Sequence, residues 1–181
     1  FNTPNHLSLE LAKDNFSAIT LDNEMKWERI NPLPGKYEFA IADQFAQLGV
    51  DENITTVGHV LFWHSQTPDW VFKDAEGNLL TRNALLDRMR ERAKMFASRY
   101  GDRVKIWDVV NEAIEDDGSL RKSLFNQIIG DDFIEQAFII ADQEMPKDAT
   151  LIYNDYGMDR AGRQATVIAM VNDFKQRGVR I

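Results

Sequence analysis

The stretch VKIWDVVNEA, from Val104 to Ala113, opens as a short apolar run and closes on an amide and a carboxyl group. β-Branched and aromatic residues favour extended backbone, and a brief apolar run with a polar boundary is typical of a buried strand. We therefore predict a strand over Val104–Val110 that leads directly into Asn111 and Glu112.

Similar short runs occur along the chain and alternate with segments of helical period. We predict four more strands, at Phe16–Thr20, Ile54–Gly58, Thr150–Tyr153 and Val179–Ile181. Apolar residues at three- and four-residue steps predict helices between them, around Phe39–Ala46, Leu85–Tyr100, Phe133–Ala141 and Val167–Phe174, the last closed by Gly178. This alternation is typical of βα units around a parallel sheet, so the predicted fold class is α/β.

The alternation alone leaves two architectures open, a doubly wound sheet and an eight-stranded barrel. No glycine-rich phosphate loop follows a predicted strand, which disfavours the nucleotide-binding sheet. No stretch rich in Pro, Gly or Ser divides the chain, so we predict one domain, 1–181, without an internal boundary. In both architectures functional residues belong at the carboxyl ends of the strands.

The composition excludes several kinds of partner. A formal net charge of -8 argues against nucleic acid, since binding phosphates requires clustered Lys and Arg. No run of about eighteen apolar residues is present, so we predict no membrane span. The chain has no cysteine, which excludes disulfides and thiolate metal sites. It begins at Phe1 without an initiator Met or an apolar leader, which fits a mature or trimmed protein.

The carboxyl group of Glu112 suits glycoside hydrolysis. That reaction requires one carboxylic acid to protonate the leaving oxygen and a second carboxylate to act as nucleophile or base. Of these two groups, the sequence offers a candidate only for the acid, Glu112. The alternative is that Glu112 caps the following helix or pairs with a lysine.

The predicted strand Ile54–Gly58 leads into a dense set of rings and hydrogen-bonding groups, comprising His59, Trp63, His64, Gln66 and Trp70. Indole rings can stack on pyranose rings while imidazole and amide groups bind hydroxyls, so the set favours a carbohydrate site. The alternative is a buried aromatic cluster. Two histidines five residues apart without a third ligand do not predict a zinc site.

The two remaining strand ends carry comparable groups. Phe16–Thr20 is followed by Asp22, Asn23, Lys26 and Trp27, and the strand at Thr150 ends in Tyr-Asn-Asp-Tyr. Each cluster alone is a weak signal. Four such clusters at four successive strand ends favour one shared site.

Four segments resemble a known family in order along the chain. They are FSAITLDNEMKW at 16–27, GHVLFWHSQTPDW at 58–70, WDVVNEA at 107–113 and LIYNDYG at 151–157. Together they resemble the family 10 endo-1,4-β-xylanases, which are (β/α)8 TIM barrels that retain anomeric configuration. The Asn-Glu pair alone is shared with other barrel glycosidases, including mannanases and cellulases, whereas the longer patterns are far more specific.

The resemblance implies a role for each matched residue. Glu112 would be the general acid/base, and Asn111 would bond the 2-hydroxyl of the sugar at the cleavage site. That sugar would be surrounded by His59, Lys26 and Trp63. The next sugar toward the non-reducing end would be held by Asp22, Asn23 and Gln66. Tyr156 would line the leaving-group side, and His64 and Trp70 would pack beneath the groove.

The resemblance also implies the partners and the location. The expected ligands are xylan and xylo-oligosaccharides, with no cofactor and no metal. Remaining barrel segments or attached carbohydrate-binding modules are expected as further partners. We expect a secreted or extracellular protein because polymeric xylan stays outside cells.

The chain departs from the family pattern at two positions and in extent. Asp22 replaces the usual Glu and shortens the reach to the second sugar, and Gly157 replaces the usual Asn, which we expect to weaken the leaving-group subsites. The chain matches only about strands 2 to 6 of the barrel, and the family's nucleophile glutamate lies on the seventh. We therefore expect a truncated sequence, a proteolytic fragment or one piece of a barrel that other segments complete. Two alternatives stay open, a non-catalytic xylan-binding fragment and a barrel glycosidase acting on another β-1,4-glycan.

Overall fold

The structure, a computed structural model, describes residues 6–181, with side chains from Glu10 onward. The helices are α1 (His6–Asn15), α2 (Trp27–Ile30), α3 (Ala40–Asp51), α4 (Arg82–Tyr100), α5 (Leu124–Ile129), α6 (Phe133–Glu144) and α7 (Ala161–Gln176). The strands are β1 (Ala18–Thr20), β2 (Thr55–Gly58), β3 (Phe62–Trp63), β4 (Ile106–Asn111) and β5 (Thr150–Asn154). No helix within the described residues has the length and apolar character needed to cross a membrane.

All strands belong to one parallel sheet in which β4 is central. β1 pairs with β2, and β2 pairs with β4 through Val57 opposite Ile106. β3 continues along the same edge of β4, with Phe62 opposite Val110. β5 pairs with β4 from Ile106 to Asn111, with a register irregularity between Asp108 and Val110. Because all pairs are parallel, the carboxyl ends of the strands meet at one edge.

The sheet and helices enclose a core centred on Trp107. Its side chain is fully buried, and the ring of Phe96 on α4 meets it edge-on at 5.3 Å between centroids. A methyl group on Gly58 would lie 2.2 Å from the Trp107 ring, so only glycine permits β2 to approach this closely. Tight packing between Gly58 and Trp107 fixes the backbone that carries His59.

The helix α4, which supplies Phe96, begins with a side-chain cap. The Thr81 side chain accepts a hydrogen bond from Ala84 N at the start of α4.

Most predicted elements are confirmed. Four predicted strands correspond to β1, β2, β4 and β5, and the four predicted helices correspond to α3, α4, α6 and α7. The strand predicted at Val179–Ile181 is wrong. There, Val179 N donates to Phe174 O at 2.9 Å, so this backbone closes α7 instead of pairing with a strand. The prediction missed α1, α2, α5 and β3.

Candidate active site

The carboxyl ends of four strands enclose a polar depression. Its wall includes Asp22 after β1, His59 after β2, Asp108 within β4 and Asn154 at the end of β5. These residues are far apart in sequence and meet only because the strands are parallel. The structure thus brings together the strand-end clusters predicted to share one site.

Glu112 follows β4 directly and is held on both its backbone and its carboxyl group. Its φ of +55° is in the left-handed region, where its N–H donates to Asn154 O at 2.9 Å and its carbonyl accepts from Arg121 Nε at 2.8 Å. These bonds stabilise a backbone conformation that is unfavourable for a side chain with a Cβ. The carboxyl Oε2 accepts from Trp63 Nε1 at 2.9 Å.

The alternative roles predicted for Glu112, capping the following helix or pairing with a lysine, are wrong. The next helix, α5, is capped by the Ser123 side chain, which accepts from Asn126 N. Among the described residues no lysine forms an ion pair with Glu112. The carboxyl group is therefore free to meet a ligand above the strand ends, with Trp63 fixing its orientation.

Asn111 is buried beside it, with 3% of its surface exposed. Its Oδ1 accepts from Asn154 Nδ2 at 2.9 Å, which sets the orientation of the amide. Since the oxygen is engaged, the NH2 group is the part available to donate to a sugar hydroxyl. Asn154 was part of the polar cluster noticed in the sequence, but its role as the partner of Asn111 was missed.

Asp22, Asn23, Lys26 and Gln66 form one hydrogen-bonded chain. Asn23 Oδ1 accepts from Lys26 Nζ at 3.0 Å and from Gln66 Nε2 at 3.3 Å. Its Nδ2 donates to Asp22 Oδ2 at 2.8 Å. Lys26 Nζ also lies 4.5 Å from the centroid of the Trp63 ring, within range of a cation–π interaction. The chain connects the residues assigned to the second sugar with the indole that orients Glu112.

His59 is oriented by a residue that sequence reasoning missed. Its Nδ1 lies 2.6 Å from Asp108 Oδ2, and both side chains are largely buried. This contact leaves Nε2 as the ring nitrogen directed elsewhere, a common arrangement where a carboxylate fixes an imidazole. The available signal was an acidic residue inside an otherwise apolar strand. A charged group in a buried strand requires a partner.

His64 is partly buried against Trp63, and Trp70 packs against Trp27. Burial first, and Arg121 second, lower the pKa of His64 below its usual range, while nearby Glu112, Glu115 and Asp155 oppose the shift. Its ring lies 5.8 Å from that of Trp63 and its Nδ1 is buried without a hydrogen-bond partner among the described residues.

Trp70 meets Trp27 edge-on at 6.3 Å and donates through Nε1 to Asn31 O. Aromatic pairs favour this edge-on arrangement. Trp70 therefore packs against α2 and the residue that ends it.

Tyr156 lies on the loop after β5 and is 53% exposed. Its hydroxyl accepts from Arg121 Nη2 at 3.3 Å. Arg121 also pairs with Glu115, through an Nη1 to Oε1 distance of 3.1 Å. Arg121 thereby connects the Glu112 backbone to Tyr156, a link that no local sequence pattern could indicate because 35 residues separate the arginine from the tyrosine.

The arrangement of fold and site defines a class of protein. Successive parallel βα units present a carboxyl group at their carboxyl edge, surrounded by indole, imidazole, amide and ammonium groups. No metal-binding group of three His, Cys, Asp or Glu residues occurs in the part of the chain that is described. These features define a domain of the α/β class, with a polar and aromatic cluster at the edge of the sheet where such domains carry their functional residues.

The chain belongs to glycosyl hydrolase family 10, whose model matches residues 2–181. It is 44% identical over 168 residues to endo-1,4-beta-xylanase A of Xylanibacter ruminicola, covering 93% of this chain and 45% of the relative. It is 40% identical over 172 residues to endo-1,4-beta-xylanase of Geobacillus stearothermophilus, covering 91% of this chain and 50% of the relative. The chain spans about half the length of these curated relatives.

Solved structures agree. A GH10 endoxylanase retrieved from a sugarcane soil metagenome is similar with a TM-score of 0.91 and 42% identity, over 96% of this chain and 51% of that one. A mutant solved in complex with xylotriose is similar with a TM-score of 0.88 and 36% identity, over 95% and 52%. The family fold is a (β/α)8 barrel, so the chain forms part of such a barrel, and the barrel prediction is confirmed.

Proposed function

We propose that this chain carries the acid/base half of a retaining endo-1,4-β-xylanase. The observation that carries the proposal is the placement of Glu112 at the end of β4, with its carboxyl group bonded by Trp63 Nε1. The predicted sugar-binding residues surround it at the same sheet edge. Two relatives named endo-1,4-beta-xylanase and a similar structure holding xylotriose support xylan as the substrate.

In this mechanism Glu112 transfers protons in both directions. It donates its proton to the glycosidic oxygen as the bond from that oxygen to the anomeric carbon breaks, and a second carboxylate bonds to the anomeric carbon. Glu112 then takes a proton from water as the water oxygen attacks that carbon and the second carboxylate leaves. Two inversions give net retention.

The second carboxylate is proposed to lie outside these 181 residues. The carboxylates near the strand ends are each engaged by another group. Asp108 bonds His59, Asp22 accepts from Asn23, and Glu115 pairs with Arg121. Asp155 accepts from the Tyr153 hydroxyl at 2.5 Å. These contacts favour roles in positioning or sugar binding for these carboxylates, and the chain matches only about half of each relative.

The substrate is proposed to cross the strand ends in a fixed direction. The hydrogen-bonded side chains of Asp22, Asn23 and Gln66 bind the sugar on the non-reducing side, and Tyr156 contacts the sugar on the leaving-group side. Groups on both sides of Glu112 suit internal cleavage of a polymer. We further propose that the protein acts outside the cell, where xylan is found, together with the remaining barrel segments and any attached carbohydrate-binding modules.

The test compares this chain with its Glu112→Gln variant, each alone and each fused to the unmatched portion of the Geobacillus stearothermophilus relative. We expect xylo-oligosaccharide binding by both chains and no reducing-sugar release from xylan by either alone. The fusion with Glu112 should hydrolyse xylan, and the Gln fusion should lose turnover of substrates with poor leaving groups. The Gln side chain preserves shape but cannot transfer the proton.

Other outcomes separate the alternatives. If the chain alone hydrolyses xylan and its Gln variant does not, the second carboxylate is within the chain and our account of the nucleophile is wrong. If the Gln fusion retains full activity, Glu112 is not the acid/base. Faster hydrolysis of mannan or cellulose than of xylan would identify a related barrel glycosidase with a different substrate.

A further inference from the structure

Tyr156 is exposed but held from two directions. Its hydroxyl accepts from Arg121 Nη2 at 3.3 Å. Its backbone carbonyl accepts from Arg163 Nη1 at 2.8 Å, and the guanidinium carbon of Arg163 lies 4.4 Å from the centre of its ring. An aromatic side chain on a loop would normally sample several rotamers. Here a cation covers one ring face and a hydrogen bond fixes the ring's far end.

Arg163 can act in this way because it is itself rigidly anchored. Its side chain is 0% exposed although it lies in the first turn of α7. Nε donates to Ile114 O at 2.8 Å, and Nη2 lies 2.9 Å from Asp116 Oδ1. The side chain of Asp155, also 0% exposed, lies 3.6 Å from Nε. Two hydrogen bonds to backbone carbonyls and two nearby carboxylates thus hold the buried guanidinium beside Tyr156, although Nη2 itself makes no hydrogen bond among the described residues.

Gly157 makes the approach of Arg163 possible. Its φ is +57°, and a Cβ there would lie 2.5 Å from Arg163 Nη1. Any other residue would displace the guanidinium from the Tyr156 carbonyl or strain the backbone. The loop after β5 and the start of α7 therefore pack closely, because Gly157 has no side chain and the guanidinium of Arg163 occupies that space.

We infer that Arg163 is a positioning residue that fixes Tyr156 as a platform for the sugar on the leaving-group side. The inference rests on the proposed function, because it assigns Tyr156 to that side of the cleavage point. A platform already held in its binding rotamer avoids the entropy cost of ordering a mobile side chain when the sugar binds. The sugar would stack on the face of Tyr156 that Arg163 leaves free.

The first test does not depend on any sugar. The chain has four tyrosines, so 3-fluorotyrosine labelling gives four 19F NMR signals, with that of Tyr156 assigned by Tyr156→Phe. We expect Arg163→Gln to shift and sharpen the Tyr156 signal toward that of free tyrosine and to leave the signals of Tyr37 and Tyr100 in place. Tyr153 is not used as a reference, because its hydroxyl bonds Asp155, which lies beside Arg163. Arg163→Lys keeps the charge, so its Tyr156 signal should lie between those of the parent and Arg163→Gln. The exposed neighbour Arg160→Gln should change nothing.

An unmoved Tyr156 signal in Arg163→Gln would overturn the inference. Removing Arg163 leaves Asp155 buried without its cation, so this variant can also lose its fold, in which case all four signals collapse. The decision then passes to Arg163→Lys, which retains a charge opposite Asp155. A folded Lys variant with a wild-type Tyr156 signal would overturn the inference equally.

The second test measures affinity by calorimetry for two ligands. Xylohexaose is long enough to cross the cleavage point, whereas xylobiose fills the two sugar positions on the non-reducing side. We expect Arg163→Gln to weaken xylohexaose about twofold to tenfold, the range expected for ordering one side chain, and to leave xylobiose unchanged. Equal weakening of both ligands would show a general structural role and contradict the inference. If the wild-type chain binds neither ligand, the proposed function has failed, and the fluorine signals still decide the role of Arg163.

Discussion

The burial of His64 gives the stability of the protein a predictable dependence on pH. Burial is the main cause that lowers its pKa, followed by the charge of Arg121. In the unfolded chain the pKa of a histidine is about 6.5. Between that pH and the lower folded value, the unfolded state binds more protons, so stability falls as pH falls. We expect the melting temperature to be constant above about pH 7 and to fall as the pH is lowered below about 6.5.

The matched variant is His64→Gln, which has similar size and does not titrate. Its melting temperature should vary less with pH over the same interval than that of the parent. If thermal unfolding of parent and variant follows the same pH dependence, His64 does not cause the effect. The comparison isolates one residue because all other ionisable groups are shared by the two proteins.

At single residues the sequence indicated which side chains lie at the strand ends better than it indicated the contacts among them. Glu112 and Asn111 could be found because a strand leads directly into them. The partners Asp108 and Arg163 could not be assigned, because His59 lies 49 residues from the first and Ile114 lies 49 residues from the second. Such pairings depend on strand register and helix placement, which local patterns do not specify. Side chains that hold a site in place are therefore the harder part to predict.

Between elements, the closest approach of β2 to β4 depends on Gly58. A Cβ at this position would lie 2.2 Å from the fully buried ring of Trp107. We expect Gly58→Ala to lower the free energy of unfolding by about 1–3 kcal/mol, as overpacking of a core does. Urea denaturation measures this, and xylo-oligosaccharide affinity should fall as well because His59 is the next residue.

A double variant tests the cause of that loss. Adding Trp107→Leu to Gly58→Ala removes the ring that the new methyl group meets. The pair should be less destabilised than the sum of the single variants, which is the signature of residues in direct contact. Strictly additive losses would show that the alanine acts through the strand backbone and not through Trp107.

The helices α3 and α4 are joined by a second testable contact. Asp43 accepts from Arg99 and, at 2.9 Å, from the Tyr100 hydroxyl. The bond from Arg99 is the largest cause that lowers the pKa of Asp43. The ionised Asp43 therefore stabilises the fold fully at pH values above its pKa in the unfolded chain. This stabilisation is lost as the pH falls through its lower pKa in the folded protein. Since the pair is partly exposed, we expect Asp43→Asn to cost about 1 kcal/mol in urea denaturation at pH 7 and less at pH 3. The exposed Asp87→Asn on α4 serves as the control, and equal losses in both variants would contradict this role.

Among the elements, a clear hydrophobic period was the best guide to what the sequence could predict, and α1 was missed although it has ten residues. The long amphipathic stripe of Leu85, Met89 and Phe96 predicted α4, whereas α2 has four residues and β3 has two. Elements that short have no measurable period, and tertiary contacts define them. The false strand at Val179–Ile181 shows the converse error, because an apolar run forms a strand only when a neighbouring strand pairs with it.

Across the whole molecule, the two outer strands lack a neighbour on one side within the described residues. β1 pairs only with β2, and β5 pairs only with β4. Unpaired strand edges leave backbone N–H and C=O groups ready to bond another segment. In a barrel every strand has two neighbours. We propose that the portion of each relative that this chain does not match pairs with both edges.

We therefore expect this chain to associate with the separately purified unmatched portion of the Geobacillus stearothermophilus relative. Binding to the folded state alone raises stability, by about 2.7 kcal/mol when the partner is present at a hundred times its Kd. The melting temperature of the mixture should rise with partner concentration. Xylan hydrolysis should appear on mixing, since we propose that the second carboxylate lies in the portion that the partner supplies.

The Glu112→Gln chain separates assembly from chemistry in this experiment. It should raise the melting temperature of the mixture as the parent does but release no reducing sugar. Association without hydrolysis by the parent would mean that the two portions meet in the wrong register, with the second carboxylate misplaced relative to Glu112. Absence of any association, at concentrations where each portion is folded, would show that β1 and β5 are not the edges that the rest of the barrel joins.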